Sequence, residues 1–112
     1  MKLKYTTASN RISVEFEGDS QKDLFGQIAA FQEVFDIKSC GKCGSENLRF
    51  VKRTVDGNDY FELRCLDCGA KLAFGANKDG KGLFPKREKD QNGKWIGKDG
   101  WVKWNPETKQ NE

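Results

Sequence analysis

Four cysteines in two matched pairs constrain this chain more than anything else in its sequence. Cys40-Gly41-Lys42-Cys43-Gly44 and Cys65-Leu66-Asp67-Cys68-Gly69 are separated by the 21 residues from Gly44 to Arg64. Two Cys-x-x-Cys pairs at about this separation are the signature of a four-cysteine metal site. Two residues between cysteines let both thiolates turn onto one ion. The glycine after each pair lets the backbone take the positive φ of a tight knuckle. Zinc prefers four ligands in a tetrahedron, so two such knuckles close a structural site with no open position for a substrate. All four cysteines of the chain are used here, and it has no histidine to substitute.

Other readings of the same cysteines fare less well. Two disulfides require an oxidising compartment, and Met1-Lys2-Leu3-Lys4-Tyr5-Thr6-Thr7 has none of the apolar core of a secretory signal. A redox Cys-x-x-Cys leaves its matched second pair unexplained. Iron in the same cage is compatible with thiolate chemistry. The expectation is one structural Zn²⁺ held by Cys40, Cys43, Cys65 and Cys68.

A chain of 112 residues makes one domain, or a very small domain with an extension. A core this modest benefits from a metal staple. The net charge of +3 is well short of a histone-like binder. No apolar run approaches the ~20 residues that span a bilayer. The expected location is therefore cytoplasmic and reducing, with no membrane partner. The charge is unevenly placed: residues 1–39 carry a net −1 and residues 40–75 a net +1, whereas residues 76–104 hold 8 basic and 4 acidic side chains and all three tryptophans.

The patterning predicts an α+β chain in three parts. Over residues 1–39, Leu3, Tyr5 and Thr7, then Ile12, Val14 and Phe16, alternate with polar residues on either side of Ala8-Ser9-Asn10, which predicts a β-hairpin. Gly18-Asp19-Ser20 breaks the strand and supplies an N-cap, with Asp23 in the first turn. Leu24, Phe25, Ile28, Phe31, Val34 and Phe35 then recur at helical spacing, so the helix should end near Asp36 with its phenylalanines in a core against the hairpin.

Residues 40–75 read as a three-stranded zinc ribbon. Asn47 to Val55 and Asp59 to Cys65 flank Asp56-Gly57-Asn58, a hairpin turn signal. A two-residue turn can centre on Asp56-Gly57 or Gly57-Asn58, and a three-residue turn shifts the pairing by one, so the register stays open. The Asp56-Gly57 turn sets Val55 opposite Asn58. Phe50 then faces Leu63, Lys52 faces Phe61, and Leu48 lies beside Cys65 on a largely apolar face. The other face pairs Arg49 with Arg64, Val51 with Glu62 and Arg53 with Tyr60. Like charges directly across a ladder destabilise it, so an arginine pair beside a tyrosine hints at an anionic partner; a plain solvated basic face is the competing reading. Lys71-Leu72-Ala73-Phe74 supplies the third strand.

Residues 76–112 read as a basic Gly/Lys/Trp-containing extension, largely irregular and partly disordered. Its tryptophans have two roles open to them. They can fold back over a ribbon that has little core of its own. Alternatively they can stack on unpaired bases while lysines neutralise phosphates, at about 1–3 kcal/mol per stacked base. Both can hold together, with Trp101 docked and Trp95 free.

The two knuckles around a hairpin resemble the zinc ribbons of transcription factors and of small replication or recombination proteins. The order of small αβ unit, ribbon and Lys/Trp-bearing end is also similar to short proteins encoded by bacteriophages, which implies a bacterial host cytoplasm. Transcription-elongation ribbons carry a contiguous Asp-Glu pair at the hairpin tip; here the tip is Asp56-Gly57-Asn58-Asp59, so that activity does not carry over. No catalytic constellation presents itself and no small-molecule substrate is expected. The expected function is that of a zinc-ribbon nucleic-acid-binding protein. Single-stranded DNA is favoured over duplex, because no long basic helix is offered to a major groove. Its candidate contacts are Arg49, Arg53, Tyr60 and Arg64 on the ribbon, and Lys86, Arg87, Lys94, Trp95, Lys98, Trp101, Lys103 and Trp104 beyond it. The alternative is a zinc-stabilised protein-interaction module that modulates a partner enzyme. A rubredoxin-like iron carrier ranks behind both.

Overall fold

Alternation and capping build the first part of the chain as expected. The structure, a computed structural model, describes residues 1–97 and 99–112. It divides into two compact units, Met1–Lys38 and Ser39–Glu112.

In the first unit, β1 (Lys2–Thr6) pairs antiparallel with β2 (Ser13–Glu17), which places Leu3 opposite Phe16 and Tyr5 opposite Val14. Helix α1 (Gln21–Phe35) follows. The Ser20 side chain caps it by accepting the Asp23 N–H at 3.1 Å, and Asp36 closes it by donating its N–H to the Gln32 carbonyl. The helix lays Phe31 on the hairpin. Its ring meets Phe16 edge-on at 5.4 Å and Tyr5 at 6.0 Å, and stacks with Phe35 at 5.0 Å. Asp36 fastens the end of the helix to the hairpin, accepting the Tyr5 hydroxyl on one oxygen and the Ala8 N–H on the other.

Phe25 departs from the expected stripe. Leu24, Ile28, Phe31 and Phe35 step round the helix by three or four residues, whereas Phe25 lies about 100° from Leu24. It is 77% exposed. Of the six residues assigned to the core by spacing, Leu24 and Val34 are buried, Ile28 and Phe31 are half-buried, and Phe35 is exposed at the edge, stacked on Phe31.

The second unit is built on a five-stranded antiparallel sheet. Strand β3 (Leu48–Val55) and β4 (Asn58–Cys65) form the hairpin. Its register pairs Val55 with Asn58, Phe50 with Leu63, Lys52 with Phe61, Arg49 with Arg64 and Arg53 with Tyr60, as the two-residue turn requires. Asp56 and Gly57 both take positive φ, 52° and 80°, the backbone twist that suits such a turn. Strand β5 (Lys71–Ala76) adds to β4.

The sheet is wider than the three strands expected. Strand β6 (Leu83–Pro85) and β9 (Trp101–Val102) both pair with the far side of β5, β6 beside Phe74 to Ala76 and β9 beside Lys71 and Leu72. Two short two-stranded pairs complete the unit: β7 (Glu88–Lys89) with β8 (Trp95–Ile96), and β10 (Trp104–Asn105) with β11 (Gln110–Asn111). Strands of two or three residues are too short to show a period in sequence, so this segment read as irregular. It nonetheless adds to the core: its Trp101 and Val102 are buried along with Leu63, Leu72 and Phe74 of β4 and β5.

The first unit provides a direct check on this packing. Phe31→Ala should lower its stability by about 2–3 kcal/mol, somewhat less than for a fully buried ring, while Phe25→Ala should stay within about 0.5 kcal/mol of the parent. Urea unfolding followed by helical circular dichroism distinguishes them; equal losses would mean that both rings are packed.

Candidate metal centre and basic sheet face

The two knuckles are built alike. In the first, the Cys40 N–H reaches the Ser45 carbonyl at 2.8 Å and the Gly44 N–H returns to the Cys40 carbonyl at 2.9 Å. In the second, Cys65 donates to Ala70 at 2.9 Å and Gly69 returns to Cys65 at 3.1 Å. Gly44 and Gly69 take φ of 76° and 81°, the positive region that a side chain would strain. A short polar bridge ties one knuckle to the other. Ser45 Oγ donates to Asp67 Oδ2, and Asn47 Nδ2 reaches Asp67 Oδ1 at 3.3 Å. These two partners hold the Asp67 carboxyl below its usual range.

This scaffold brings four sulfurs together, all within 4.8 Å of one another. The closest approaches cross between knuckles: Cys40 to Cys68 at 3.7 Å and Cys43 to Cys65 at 3.5 Å. A disulfide has its sulfurs about 2.05 Å apart, and all four cysteines are free. A metal with bonds of about 2.3 Å to four sulfurs in a tetrahedron separates them by about 3.8 Å, so the observed spacing fits that geometry. Backbone donors surround the cage: the N–H of Lys42 points at Cys40 Sγ (3.3 Å), that of Cys68 at Cys65 Sγ (3.5 Å) and that of Ala70 at Cys68 Sγ (3.4 Å). Such donors favour the thiolate form that a metal takes.

The thiols do not ionise alike. Burial opposes ionisation of Cys65, but the backbone N–H groups of Cys68 and Asp67 and the neighbouring sulfurs outweigh it and bring it down to about 7. For Cys43 the Ser45 backbone favours the thiolate, yet the Cys65 sulfur, burial and the other two sulfurs push it up to about 12. One negative sulfur thus opposes the next. Four together require a cation among them, and ligation deprotonates a thiol outright. Cys40, Cys43, Cys65 and Cys68 are positioned to hold a metal ion.

The face of the sheet that carries Arg49, Arg53, Tyr60 and Arg64 has an internal anion that sequence reasoning missed. Arg49, Arg64 and Lys71 lie in one row across β3, β4 and β5, and Glu62 stands in the next row, opposite Val51 and Ala73. Its side chain is 3% exposed. Arg53 Nε reaches it at 2.8 Å, Arg64 at 3.0 Å and Lys71 Nζ at 3.5 Å. Burial would raise the Glu62 pKa, but Arg53, Arg64 and Lys71 reverse this and hold it below the ordinary value. Arg53 also lies 4.9 Å from the Tyr60 ring centroid. Arg49 makes no ion pair among the described residues.

The remaining candidates are dispersed. Trp101 is 3% exposed, which removes it from any base-stacking role and places it in the core. Its ring lies against the first knuckle, so close that a Cβ at Gly41 would sit 2.4 Å from Trp101 Cδ1. Trp95 and Trp104 are exposed at 59% and 56%. The Lys89 ammonium stands 4.6 Å from the centroid of the Trp95 ring. Lys86, Arg87, Lys94 and Lys103 are exposed, and Lys98 lies outside the described residues. Lys42, inside the first knuckle, belongs with these basic groups, but its place between two ligands gave no sequence signal of its own. Among the described residues no helix is long and apolar enough to cross a membrane.

Comparisons with known protein families, curated proteins and solved structures find no match to this chain.

Two outcomes check the site. Cys40→Ser, or removal of the metal by a chelator, should abolish metal binding and unfold the ribbon, because ligation and folding are coupled; metal content and tryptophan emission report both. A ribbon that keeps its fold with neither cysteine cage nor metal would overturn the assignment. Glu62 sets an acid limit of its own. Because its folded pKa is lowered, its contribution is present above the unfolded value, about 4.3, and is lost as pH falls through the folded one. The stability gap between the parent and Glu62→Gln should therefore narrow as pH falls through and below about 4.3, measured by urea midpoints. A gap that holds constant would show that the carboxylate charge is not used.

Proposed function

We propose that this chain is a zinc-stabilised, non-enzymatic protein that binds single-stranded nucleic acid, DNA in the first instance, through the basic face of its sheet. Zinc is the metal best suited to four thiolates in a closed tetrahedral cage with a structural role. A cage of reduced cysteines fits a reducing compartment such as the cytoplasm.

The observation that carries the reading is the arrangement around Glu62. Three basic side chains, Arg53, Arg64 and Lys71, meet one buried carboxylate, and Arg49 stands beside them opposite Arg64, which leaves the face with three positive charges in excess. The carboxylate fixes the two arginines as half-exposed, preorganised forks, a geometry that suits phosphate oxygens. Tyr60 is exposed beside them and offers a ring to a base. The exposed lysines of residues 76–104 extend the positive field.

A second reading rests on a different feature. In the first unit Phe25, Met1 and Leu3 are exposed at 77%, 64% and 44%, around a shallow apolar groove that also touches Leu24 and Ile28. Such a patch favours a protein partner. The two readings respond differently to salt.

Binding of a labelled oligo-thymidine strand, followed by anisotropy, should weaken steeply with salt. The slope of log affinity on log salt is expected at about −0.7 for each phosphate neutralised, so about −2 to −3 for three or four contacts. Arg49→Ala should reduce that slope by about 0.7 without disturbing the Glu62 cluster. No binding at low salt would reject the nucleic-acid reading and leave the apolar groove as the working surface.

A further inference from the structure

We infer that Trp104, Lys42 and Lys103 form a subsite for one nucleotide of the bound strand, in which Trp104 stacks on the base and the two lysines hold the flanking phosphates. The inference rests on the single-strand reading above and assigns the stacking role that the sequence left shared among three tryptophans.

Three observations separate the tryptophans. Trp101 is buried against Gly41 and has no free face. Trp95 is exposed, but the Lys89 ammonium already occupies one face of its ring. Trp104 is 56% exposed, and no other ring or cation stacks on it among the described residues. Of the three it is the exposed ring with no cation or other ring stacked on either face among the described residues.

The surroundings of Trp104 supply the rest of the recognition. It lines a groove of about 330 Å³ together with Lys42, Lys103, Asn105, Pro106 and Glu112. That volume lies within the range of small-ligand sites, about 300–1,000 Å³. Lys42 and Lys103 are both exposed, and neither has an ion-pair partner among the described residues. Among the described residues one acid, Glu112, lines the groove and is held in its wall: its carboxylate accepts a bond from Asn105 Nδ2 at 3.1 Å and its backbone pairs with Lys103 in both directions at 2.8 Å, which leaves two ammonium groups against one carboxylate. A ring flanked by two ammonium groups matches a base between two phosphates, with stacking of about 1–3 kcal/mol, a loss of roughly 5- to 150-fold in affinity when the ring is removed.

The groove is also tied to the metal centre. Lys42 stands between Cys40 and Cys43, and its backbone N–H points at the Cys40 sulfur. Trp101, three residues before Trp104, packs on Gly41, next to Lys42. The knuckle therefore supplies one phosphate contact and anchors the strand that leads to the stacking ring. Metal loading sets the position of both.

The test uses the metal-loaded chain with a single tryptophan retained at a time, the others replaced by phenylalanine, and a short oligo-thymidine strand, with binding measured independently by anisotropy. The retained Trp104 should be quenched on binding, the retained Trp101 should not, and Trp104→Ala should weaken binding by roughly 5- to 150-fold, whereas Trp95→Ala should change it by less. Lys42→Gln should lower affinity and shrink the salt slope by about 0.7 while metal content and circular dichroism stay at parent levels. A parent chain that fails to bind the strand at all would remove the single-strand reading and this subsite with it. A strand that binds with parent affinity to Trp104→Ala, or without quenching Trp104, would overturn the subsite and leave the basic face standing.

Discussion

Four sulfurs within 4.8 Å of one another are the contact on which the second unit depends. No hydrophobic gain brings thiols together in this way, and their charges oppose one another as they ionise. A cation held among them would resolve that conflict and join two knuckles that are 22 residues or more apart in sequence, Cys43 to Cys65 and Cys40 to Cys68. The sheet between them has few fully buried side chains among the described residues, Leu63, Leu72 and Trp101 included, so such a clamp would supply what its small core lacks.

Much of this was legible because it depends on local chemistry. The knuckles, their positive-φ glycines and the existence of a turn around Asp56-Gly57-Asn58 each follow from residue type and spacing; which pair of residues turns, and hence the register that puts Arg49 beside Arg64, is decided by the structure. The N-cap at Ser20 is local in the same sense. What escaped the sequence is non-local. Glu62 sits opposite Val51 and Ala73 in the ladder; Arg64 is its neighbour two residues on along β4, but the contacts to Arg53 and Lys71 are diagonal ones to the two adjacent strands, which nothing along the chain marks. Strands β6 and β9 are held by the edge of β5, not by any period of their own. Phe25 misled because helical spacing fixes an apolar stripe only to within a residue at its border.

The buried carboxylate changes how the basic face is understood. Arginines placed directly across a ladder repel one another. Glu62 holds one member of that pair, Arg64, together with Arg53, since these two guanidinium groups share its oxygen Oε1, while Arg49 stays outside the cluster. Its desolvation is compensated by three charged donors, so the cluster is stable as a unit and sensitive to the loss of any member. The face then presents donors that have already surrendered much of their side-chain freedom, and a polyanion meeting them loses less entropy on binding.

The open side of the sheet has one more consequence. On β5, β6 and β9 cover the outer edge along most of its length, which leaves β3 as the terminal strand. An uncovered edge invites another strand to add to it, and chains with such edges stack into aggregates unless something prevents it. Here Arg49, Lys52 and Arg53 lie along that edge strand. Two copies approaching antiparallel, β3 to β3 about Val51, would set Arg49 of each against Arg53 of the other. The same basic residues thus act as guards of solubility, keeping the edge from pairing with its own kind.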